Sequence, residues 1–182
     1  MLPAIIPRTA RPALLAATSL FIALQSAPAL AGPEDFGAGP LIADYGQIAA
    51  VDMTSALPDN SVFQIAFDSA TRSDTDSLNR TLTSAARFLN MHVANGVEAG
   101  NLHLAIVIHG GAVHDVAGES AAGNADLVAT LLTHGVRVIV CGQSAAYYDV
   151  SREDLLPGVE MALSAMTAHA LLQQDGYTLN PF

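Results

Sequence analysis

From residue 61 onward, short apolar segments alternate with single stretches of helical periodicity, and this alternation is what most restricts the fold. Five apolar segments are predicted to be strands, at residues 62–67, 102–108, 136–140, 159–163 and 177–179. The second of them is nearly continuous in its apolar character, which is typical of a strand covered on both faces. Strands that alternate with single helices predict a parallel sheet with right-handed crossovers. We therefore expect a flavodoxin-like three-layer α/β sandwich with a mostly parallel sheet of about five strands.

Periodicity and capping residues place the first two helices between these strands. The first helix has one apolar stripe, formed by Leu78, Leu82, Ala85, Leu89 and Val93. Ser73 is predicted to cap its beginning, and Asn95-Gly96 to end it. A second helix is predicted over residues 125–133, with Asn124 as its cap.

The C-terminal part is predicted to hold shorter helices. One begins at Gln143 and another lies around residues 152–156. The last is capped by Ser164, ends at Asp175-Gly176, and carries the apolar residues Met166, Ala170 and Leu171.

The N-terminal segment has the three parts of a cleavable export signal. Arg8 and Arg11 give a short positive region, residues 13–26 are almost entirely apolar, and Ala29-Leu30-Ala31 gives the pattern that signal peptidase reads. A membrane anchor is the alternative, but the apolar run falls short of the ~20 residues that a bilayer requires. We predict cleavage after Ala31 and a periplasmic or otherwise exported protein.

Cleavage would leave 151 of the 182 residues, which is enough for one domain. Residues 32–60 are rich in Gly, Pro and Asp, and we interpret them as an N-terminal arm that lies against the domain or a neighbouring subunit. Residues 41–51 within the arm are predicted to include a short extended piece. Residues 61–182 form the predicted α/β domain.

The charge of the mature chain excludes several classes of partner. Without Arg8 and Arg11, five basic residues stand against 17 acidic ones, a difference of −12, and the sequence contains no lysine. Such a chain is repelled by phosphate backbones and anionic lipid surfaces. We expect neither nucleic acid nor, after signal cleavage, a membrane as its partner.

The residues that could take part in binding or catalysis lie at the ends of two predicted strands. In a parallel α/β sheet the ligand crevice lies at the carboxyl ends of the strands. His109-Gly110-Gly111 follows the second strand, and Cys141-Gly142-Gln143-Ser144 follows the third. Cys141 is the candidate reactive residue, and the candidate binding residues are His109, Gly110, Gly142, Gln143 and Ser144.

Cys141 is the only cysteine in the sequence. It precedes a predicted helix, where backbone N–H groups and the helix dipole favour a thiolate with a pKa below the usual ~8.5. A buried, unreactive thiol that completes an apolar strand fits the same pattern. The residues alone leave both interpretations open.

His109 offers a partner for Cys141 only under some strand orders. If the second and third strands lie on either side of the first, the two residues end about 10 Å apart, given the ~4.8 Å strand spacing, which is too far for a Cys–His pair. His109 is then a polar cap on a strand end. A metal site formed by His109, His114 and Cys141 is the weakest reading, because the ligands lack the spacing of a structural zinc site.

The other histidines, His92, His103, His134 and His169, are interpreted as helix-surface or strand-flank residues. No Walker, dinucleotide-binding or Gly-x-Ser-x-Gly motif occurs, so no cofactor is expected.

An ordered set of segments across residues 41–182 resembles the DsrE/DsrF-like (sulfur-relay, YchN-like) family, in particular its exported members. The clearest segments are Val107-Ile108-His109-Gly110-Gly111-Ala112, Asn124-Ala125-Asp126-Leu127, Val140-Cys141-Gly142-Gln143-Ser144, Leu155-Leu156-Pro157-Gly158-Val159 and Ala162-Leu163-Ser164-Ala165-Met166-Thr167. The resemblance implies a flavodoxin-like fold and assembly as a trimer or hexamer. In the family's sulfur-transfer members a cysteine at the equivalent strand end accepts sulfur as a persulfide, and Cys141 occupies that position.

Two features depart from the sulfur-relay pattern: this chain is predicted to be exported, and no second cysteine is present to resolve a persulfide. Our first hypothesis is a periplasmic protein that binds or carries sulfur species on Cys141, with at most a sulfurtransferase-like activity. Its partners would be copies of itself and either small sulfur species or a sulfur-transfer protein. The alternative is a non-catalytic oligomeric binding or assembly module in which Cys141 is packed.

Overall fold

A computed structural model describes residues 32–180, so the predicted export signal at residues 1–31 lies outside the described part of the chain. Its strands are β1 (Phe63–Ser69), β2 (Leu102–Ile108), β3 (Arg137–Cys141), β4 (Glu160–Ala162) and β5 (Thr178–Asn180). Its α-helices are α1 (Arg80–Ala94), α2 (Ala125–Thr133), α3 (Gly142–Tyr147) and α4 (Ala165–Gln174). Short 3-10 helices cover Pro33–Asp35, Ala99–Asn101, Gly110–Asp115 and Glu119–Asn124. Within residues 32–180, no helix combines the length and apolar character needed to cross a bilayer.

The five strands form one sheet in the order β4-β3-β2-β1-β5, and every pairing is parallel. In the β1–β2 register, Phe63 lies beside Leu102 and Ser69 beside Ile108. The predicted α/β class with a parallel sheet of about five strands is therefore confirmed.

Both faces of the sheet are covered, as the apolar composition of β2 indicates. Leu104 and Ile106 belong to a larger core with α1 and α2, whereas Ala105 and Val107 belong to a smaller core with α4. Alternate residues of a strand point to opposite faces, so this division places α1 and α2 on one side and α4 on the other. The result is the expected three-layer arrangement.

The beginning of α1 differs from the prediction that Ser73 caps it. Asn79 is the cap, and its Oδ1 accepts hydrogen bonds from the N–H groups of Thr81 (2.9 Å) and Leu82 (3.2 Å). Ser73 instead donates through its N–H and its hydroxyl to the buried carboxylate of Asp115, at 2.9 Å each. Since the Asn79 side-chain amide also donates to Asp115 at 2.7 Å, one buried carboxylate holds both the loop and the cap.

The extent of α2 is as predicted, with Asn124 at its N-cap position, but the expected side-chain cap does not form. Asn124 makes no side-chain hydrogen bond to the helix N-terminus. Its Oδ1 accepts from the N–H of Asn79 at 2.8 Å, so it ties the beginning of α2 to the beginning of α1. The Asn124 side chain therefore makes a tertiary hydrogen bond in place of a local one to its own helix.

The C-terminal region holds two further corrections. Residues 152–156 form turns and an isolated bridge between Leu155 and Ala117, not a helix. In α4 the buried residues are Ala168 and Leu172, whereas Met166 is 80% exposed and Leu171 is 55% exposed. The apolar side assigned to this helix from its sequence thus faces outward. Its predicted cap is confirmed, since the Ser164 hydroxyl accepts from the N–H of Thr167 at 3.0 Å.

The N-terminal arm, residues 32–60, lies against α1 through the buried side chain of Asn90. Asn90 Oδ1 accepts from the N–H groups of Leu41 and Ile42, and its Nδ2 donates to the carbonyls of Ile42, Tyr45 and Gly46. Residues 41–51 contain no strand, only the isolated bridge of Ile48 with Gly37. One amide therefore anchors a segment that has almost no regular structure of its own.

Candidate functional site

Side chains at the carboxyl ends of β1 and β3 meet on the side of the sheet that α4 covers. Ala66 and Ile139 belong to the core beneath α4. By the period of two, Asp68 and Cys141, each two residues further along, face the same side. His169 of α4 lies with them around one pocket. Because the strands are parallel and alternate residues of a strand share a face, Asp68 and His169 meet although they are 101 positions apart.

Asp68 bridges two histidines. One carboxylate oxygen lies 3.0 Å from Nε2 of His109, and the other lies 2.8 Å from Nε2 of His169. The backbone N–H of His109 also donates to the carbonyl of Ser69 at 2.8 Å, which fixes His109 to the end of β1. Partial burial raises the pKa of Asp68, but the hydrogen bonds from the two imidazoles outweigh it and hold this pKa below its usual value. Asp68 is therefore a carboxylate that orients two rings.

The second ring nitrogen of His169 has an unusual environment. Nδ1 is buried and has no hydrogen-bond partner among the described residues. Because Nε2 must carry a proton to donate to Asp68, Nδ1 of the neutral ring is an unprotonated acceptor. A buried acceptor without a partner costs stability.

Cys141 ends β3 and directly precedes α3, and the residue is only 5% exposed. Burial raises the pKa of its thiol, but hydrogen bonds from the Ser144 hydroxyl and from the backbone N–H groups of Ser144, Ala165 and Gln143 lower it further than burial raises it. The beginnings of two helices, α3 and α4, supply these N–H groups. The thiolate is therefore easier to form than in an ordinary cysteine, and the groups that stabilise it include no basic side chain.

Ser144 connects the two strand ends. Its Oγ accepts a hydrogen bond from the N–H of Gly110 at 3.0 Å, which leaves the hydroxyl proton free to point at the Cys141 sulfur. Gly110 lies in the left-handed region, with φ of +52°. This conformation, which favours glycine, turns the chain after His109 and aims the N–H at Ser144.

Gly142 is required by a close approach of backbone. A Cβ atom at this position would lie 2.6 Å from the carbonyl oxygen of Ala162 and 3.2 Å from that of Leu163. The glycine therefore allows β4 to pass beside the beginning of α3. The group that approaches closely is main chain, rather than a ligand at the sulfur.

The pocket has a volume of about 330 Å³. Its ionisable lining groups are Asp68, His109, Cys141 and His169. Gln143, Ser144, Ser164, Ala165 and Met166 complete its wall. It is large enough for a small anionic molecule or for the end of an inserted side chain.

Five of the six candidate residues have a place in or beside this pocket. Cys141, His109, Gln143 and Ser144 line it, and Gly110 contacts Ser144. The sixth, Gly142, serves the backbone contact with β4.

The strand order used to separate His109 from Cys141 is wrong: β2 lies next to β3 and between β3 and β1. The two residues follow adjacent strands and share the pocket, so His109 is more than a cap on a strand end. The reason is that each crossover from β1 to β4 places the next strand on the same side of the preceding one.

Asp68 and His169 are functional candidates that sequence reasoning missed. The first strand was predicted to end at residue 67, but β1 extends through Ser69 and so includes Asp68. His169 was expected on a helix surface, but it points inward at Asp68. An acid at the carboxyl end of the first strand was a usable signal, since the ends of parallel strands meet at one edge. Nothing local distinguishes His169 from the other helical histidines.

The metal site considered for His109, His114 and Cys141 is not formed. His114 packs edge-on against Tyr148, with ring centroids 4.9 Å apart. Across residues 32–180, no three side chains of His, Cys, Asp or Glu are arranged to hold a metal ion.

Comparisons with known proteins agree with this architecture. The chain is similar in structure to MTH1491, a protein of unknown function from Methanobacterium thermoautotrophicum, with a TM-score of 0.53 and 18% identity over 66% of this chain and 99% of that one. It is also similar to the ychN protein from E. coli, with a TM-score of 0.51 and 17% identity over 66% of this chain and all of that one. At such identities both likenesses establish the fold alone. No protein of curated function matches the sequence significantly.

The family assignment comes from the sequence profile. Residues 61–181 match the DsrE/DsrF-like family. This match covers well over half of the chain and includes β1 to β5 together with all the residues of the pocket. The chain therefore belongs to the DsrE/DsrF-like family.

Proposed function

We propose that this protein carries sulfur as a persulfide on Cys141, as an exported member of its family. The observation that carries the proposal is the environment of the Cys141 sulfur: a hydroxyl and three backbone N–H groups stabilise a thiolate at the edge of a pocket. A thiolate is the form of cysteine that attacks sulfane sulfur. Family membership supports the same chemistry.

The transfer step is a displacement at sulfur. The Cys141 thiolate attacks the terminal sulfur of a donor persulfide or polysulfide, and a new S–S bond forms at Sγ. The donor's own S–S bond breaks, its electron pair leaves with the donor thiolate, and that thiolate takes up a proton. Sulfur changes carrier without net oxidation, so no external oxidant is needed.

The pocket also fits the product. The outer sulfur of a persulfide is an acidic, readily ionised group, and it would extend from Sγ into the cavity. The N–H groups at the beginnings of α3 and α4 favour a negative charge there. Asp68 is the one carboxylate in the pocket lining, and the two histidines engage both of its oxygens.

We propose that the chain acts after export, with cleavage following Ala31. Support comes from residues 1–31, which have the charge, apolar run and small-residue pattern of a secretory signal. N-terminal sequencing of the protein recovered from the periplasm of a Gram-negative host is expected to begin at Gly32. Recovery of the uncleaved chain in the cytoplasm would contradict it.

We further propose that the chain assembles with copies of itself, as a trimer or hexamer. Exposed apolar side chains support this: Met166, in the pocket wall, is 80% exposed, Leu163 is 71% exposed and Leu171 is 55% exposed. Apolar side chains clustered on a surface favour contact with another protein. A sulfur-transfer partner would have to reach Cys141 through the same surface.

A second candidate function is a non-catalytic binding module with a packed cysteine. The burial of Cys141, at 5% exposure, favours this reading. A packed thiol would react slowly and incompletely with thiol reagents in the folded protein, whereas a carrier thiol must react through the pocket.

Intact-mass spectrometry after incubation with polysulfide tests the proposal. We expect wild-type protein to gain one or more whole sulfur atoms, removable by a reductant, and the matched Cys141→Ser variant to gain none. Thiosulfate, which also carries a sulfane sulfur, serves as an alternative donor, and sulfide, which carries none, is the negative control. A folded wild-type protein that gains no sulfur from polysulfide or thiosulfate, and whose Cys141 resists alkylation, is the packed module instead.

A further inference from the structure

Strand β4 forms one edge of the sheet, and its outer side has no neighbouring strand. β4 pairs in parallel with β3 alone, so within residues 32–180 no strand lies on its other side. Successive residues of a strand direct their backbone N–H and C=O groups to alternate sides, and at an edge the outward groups are unpaired. Some of these groups in β4 are therefore available to a further strand.

An open groove follows this edge. It has a volume of about 800 Å³ and is lined by residues 158–163 together with Gly142, Gln143 and Arg152. Leu163, directly after β4, is 71% exposed. The groove thus offers both room for a strand beside β4 and an apolar side chain that such a strand would cover.

β4 lacks most of the features that keep an edge strand from pairing. Edges are commonly protected by proline, by charged side chains or by a covering helix or loop. β4 contains no proline, and its one charged side chain, Glu160, accepts two hydrogen bonds from Arg137 of β3, at 2.9 and 2.8 Å. Its only protection is its length of three residues, so a pairing strand would also use residues 159 and 163.

We infer that β4 pairs antiparallel with β4 of a second copy of this chain, across a two-fold axis perpendicular to the sheet. This inference rests on the proposed self-assembly and names the contact by which two trimers join as a hexamer. The two five-stranded sheets then form one sheet of ten strands, and α4 of both copies lies on the same face.

The residues of this edge are self-complementary in one register. With Met161 at the axis, Glu160 lies opposite Ala162 of the second copy, and Leu163 lies opposite Val159. A register centred on Glu160 would instead place two carboxylates directly opposite each other, which is unfavourable. Antiparallel pairing around Met161 therefore brings apolar side chains together without opposing like charges.

The charges around the groove favour a second copy as its occupant. Two mature chains, each with five basic and 17 acidic residues, repel each other over most of their surfaces. The ionisable residues of the groove are Arg152 and Glu160, and Glu160 is already paired with Arg137. Within residues 32–180 the guanidinium of Arg152 has no ion pair, so it is available to a carboxylate of the acidic second copy. The edge of β4 thus carries no excess of negative charge that would oppose the contact.

The molar mass of the mature protein in solution, measured by light scattering, tests the inference. We expect wild type to be a hexamer and Leu163→Asp, which puts a carboxylate opposite the apolar Val159 of the second copy, to have half that mass. Leu179→Asp is the matched control, since Leu179 is an exposed leucine of β5 at the opposite edge, and it should keep the wild-type mass. A folded Leu163→Asp with the wild-type mass, or a wild type with an odd number of copies, overturns the inference.

The same measurement separates this contact from the proposed trimer or hexamer. A wild-type dimer that becomes a monomer in Leu163→Asp supports the β4 contact and refutes the larger assembly. Neither result depends on sulfur uptake by Cys141.

Hydrogen exchange of the wild-type assembly, resolved to single residues, does not depend on the folding of a variant. We expect every N–H group of residues 160–163 to be protected, because a strand paired on both sides has no free N–H groups. Rapid exchange at alternate residues indicates a strand paired on one side only. That result, which is also expected if the edge receives a strand of another protein, overturns the inference.

Discussion

Replacing Ser144 by alanine should separate the electrostatic control of Cys141 from its packing. The Ser144 hydroxyl accepts from the N–H of Gly110 at 3.0 Å and contributes one of the hydrogen bonds that lower the pKa of the Cys141 thiol. The substitution removes that hydroxyl but leaves all three backbone N–H groups, those of residues 143, 144 and 165, in place. Burial of the sulfur then weighs more heavily against the thiolate, so the pKa must rise.

The size of the effect follows from the strength of one hydrogen bond to a charged group. Such a bond contributes about 1.5–3 kcal/mol, and one pKa unit corresponds to about 1.4 kcal/mol. The thiol pKa of Ser144→Ala should therefore rise by about 1–2 units. Below both midpoints each unit reduces the thiolate fraction about tenfold, whereas above both midpoints the two proteins have the same fraction.

The assay is the rate of iodoacetamide alkylation of Cys141 as a function of pH, followed by intact mass. The wild-type midpoint should lie below that of an ordinary cysteine, ~8.5, and the Ser144→Ala midpoint above the wild-type one. Ser61→Ala, which loses an exposed hydroxyl bonded to the carbonyl of Pro58, is the matched control. Coincident midpoints for folded wild type and Ser144→Ala would refute the reasoning that this hydroxyl stabilises the thiolate.

Two further substitutions test the architecture around the site. Asn90→Ala removes five hydrogen bonds of 2.8–3.2 Å that hold the N-terminal arm. It should therefore lower the free energy of unfolding by about 2–4 kcal/mol and speed proteolysis of the arm. The exposed Asn95→Ala is the control, and an equal loss of stability in the two variants would contradict the prediction. Gly142→Ala places a Cβ 2.6 Å from the carbonyl oxygen of Ala162, so urea unfolding should show a loss of about 1–3 kcal/mol in the free energy of unfolding, and the rate of Cys141 alkylation should change. Gly100→Ala, with open space around it, is the control. Equal stability of the two variants would contradict the close approach.

Local sequence patterns predicted which helices and strands form better than they predicted where these elements begin and end. The apolar run of β2 and the stripe of Leu82, Ala85 and Leu89 are local properties, and both elements form where they were expected. The beginning of α1 was misplaced because the buried carboxylate of Asp115, 42 residues away, takes the hydrogen bonds of Ser73. Caps depend on which partner is nearer in space, and that partner is often distant in sequence.

The apolar side of α4 shows a similar limit. Met166 and Ala170 are four residues apart, as core residues would be, yet both are exposed, and Ala168 and Leu172 are the ones that contact the sheet. With only a weak difference in apolar character between its two sides, α4 could be rotated by its contacts, among them the hydrogen bond of His169 to Asp68. Periodicity alone does not determine the rotation of such a helix.

The amino-acid sequence by itself determined the parallel α/β class, the positions of most strands and helices, and Cys141 at a strand end before a helix, because these depend on contacts between near neighbours and on alternation along one segment. The tertiary structure alone decided the strand order, and with it the partners of that cysteine. Placing β2 between β1 and β3 brought Asp68, His109 and His169 to the pocket that Cys141 shares. The physical reason is that side chains from separate strands and from α4 meet only after the crossovers have ordered the sheet.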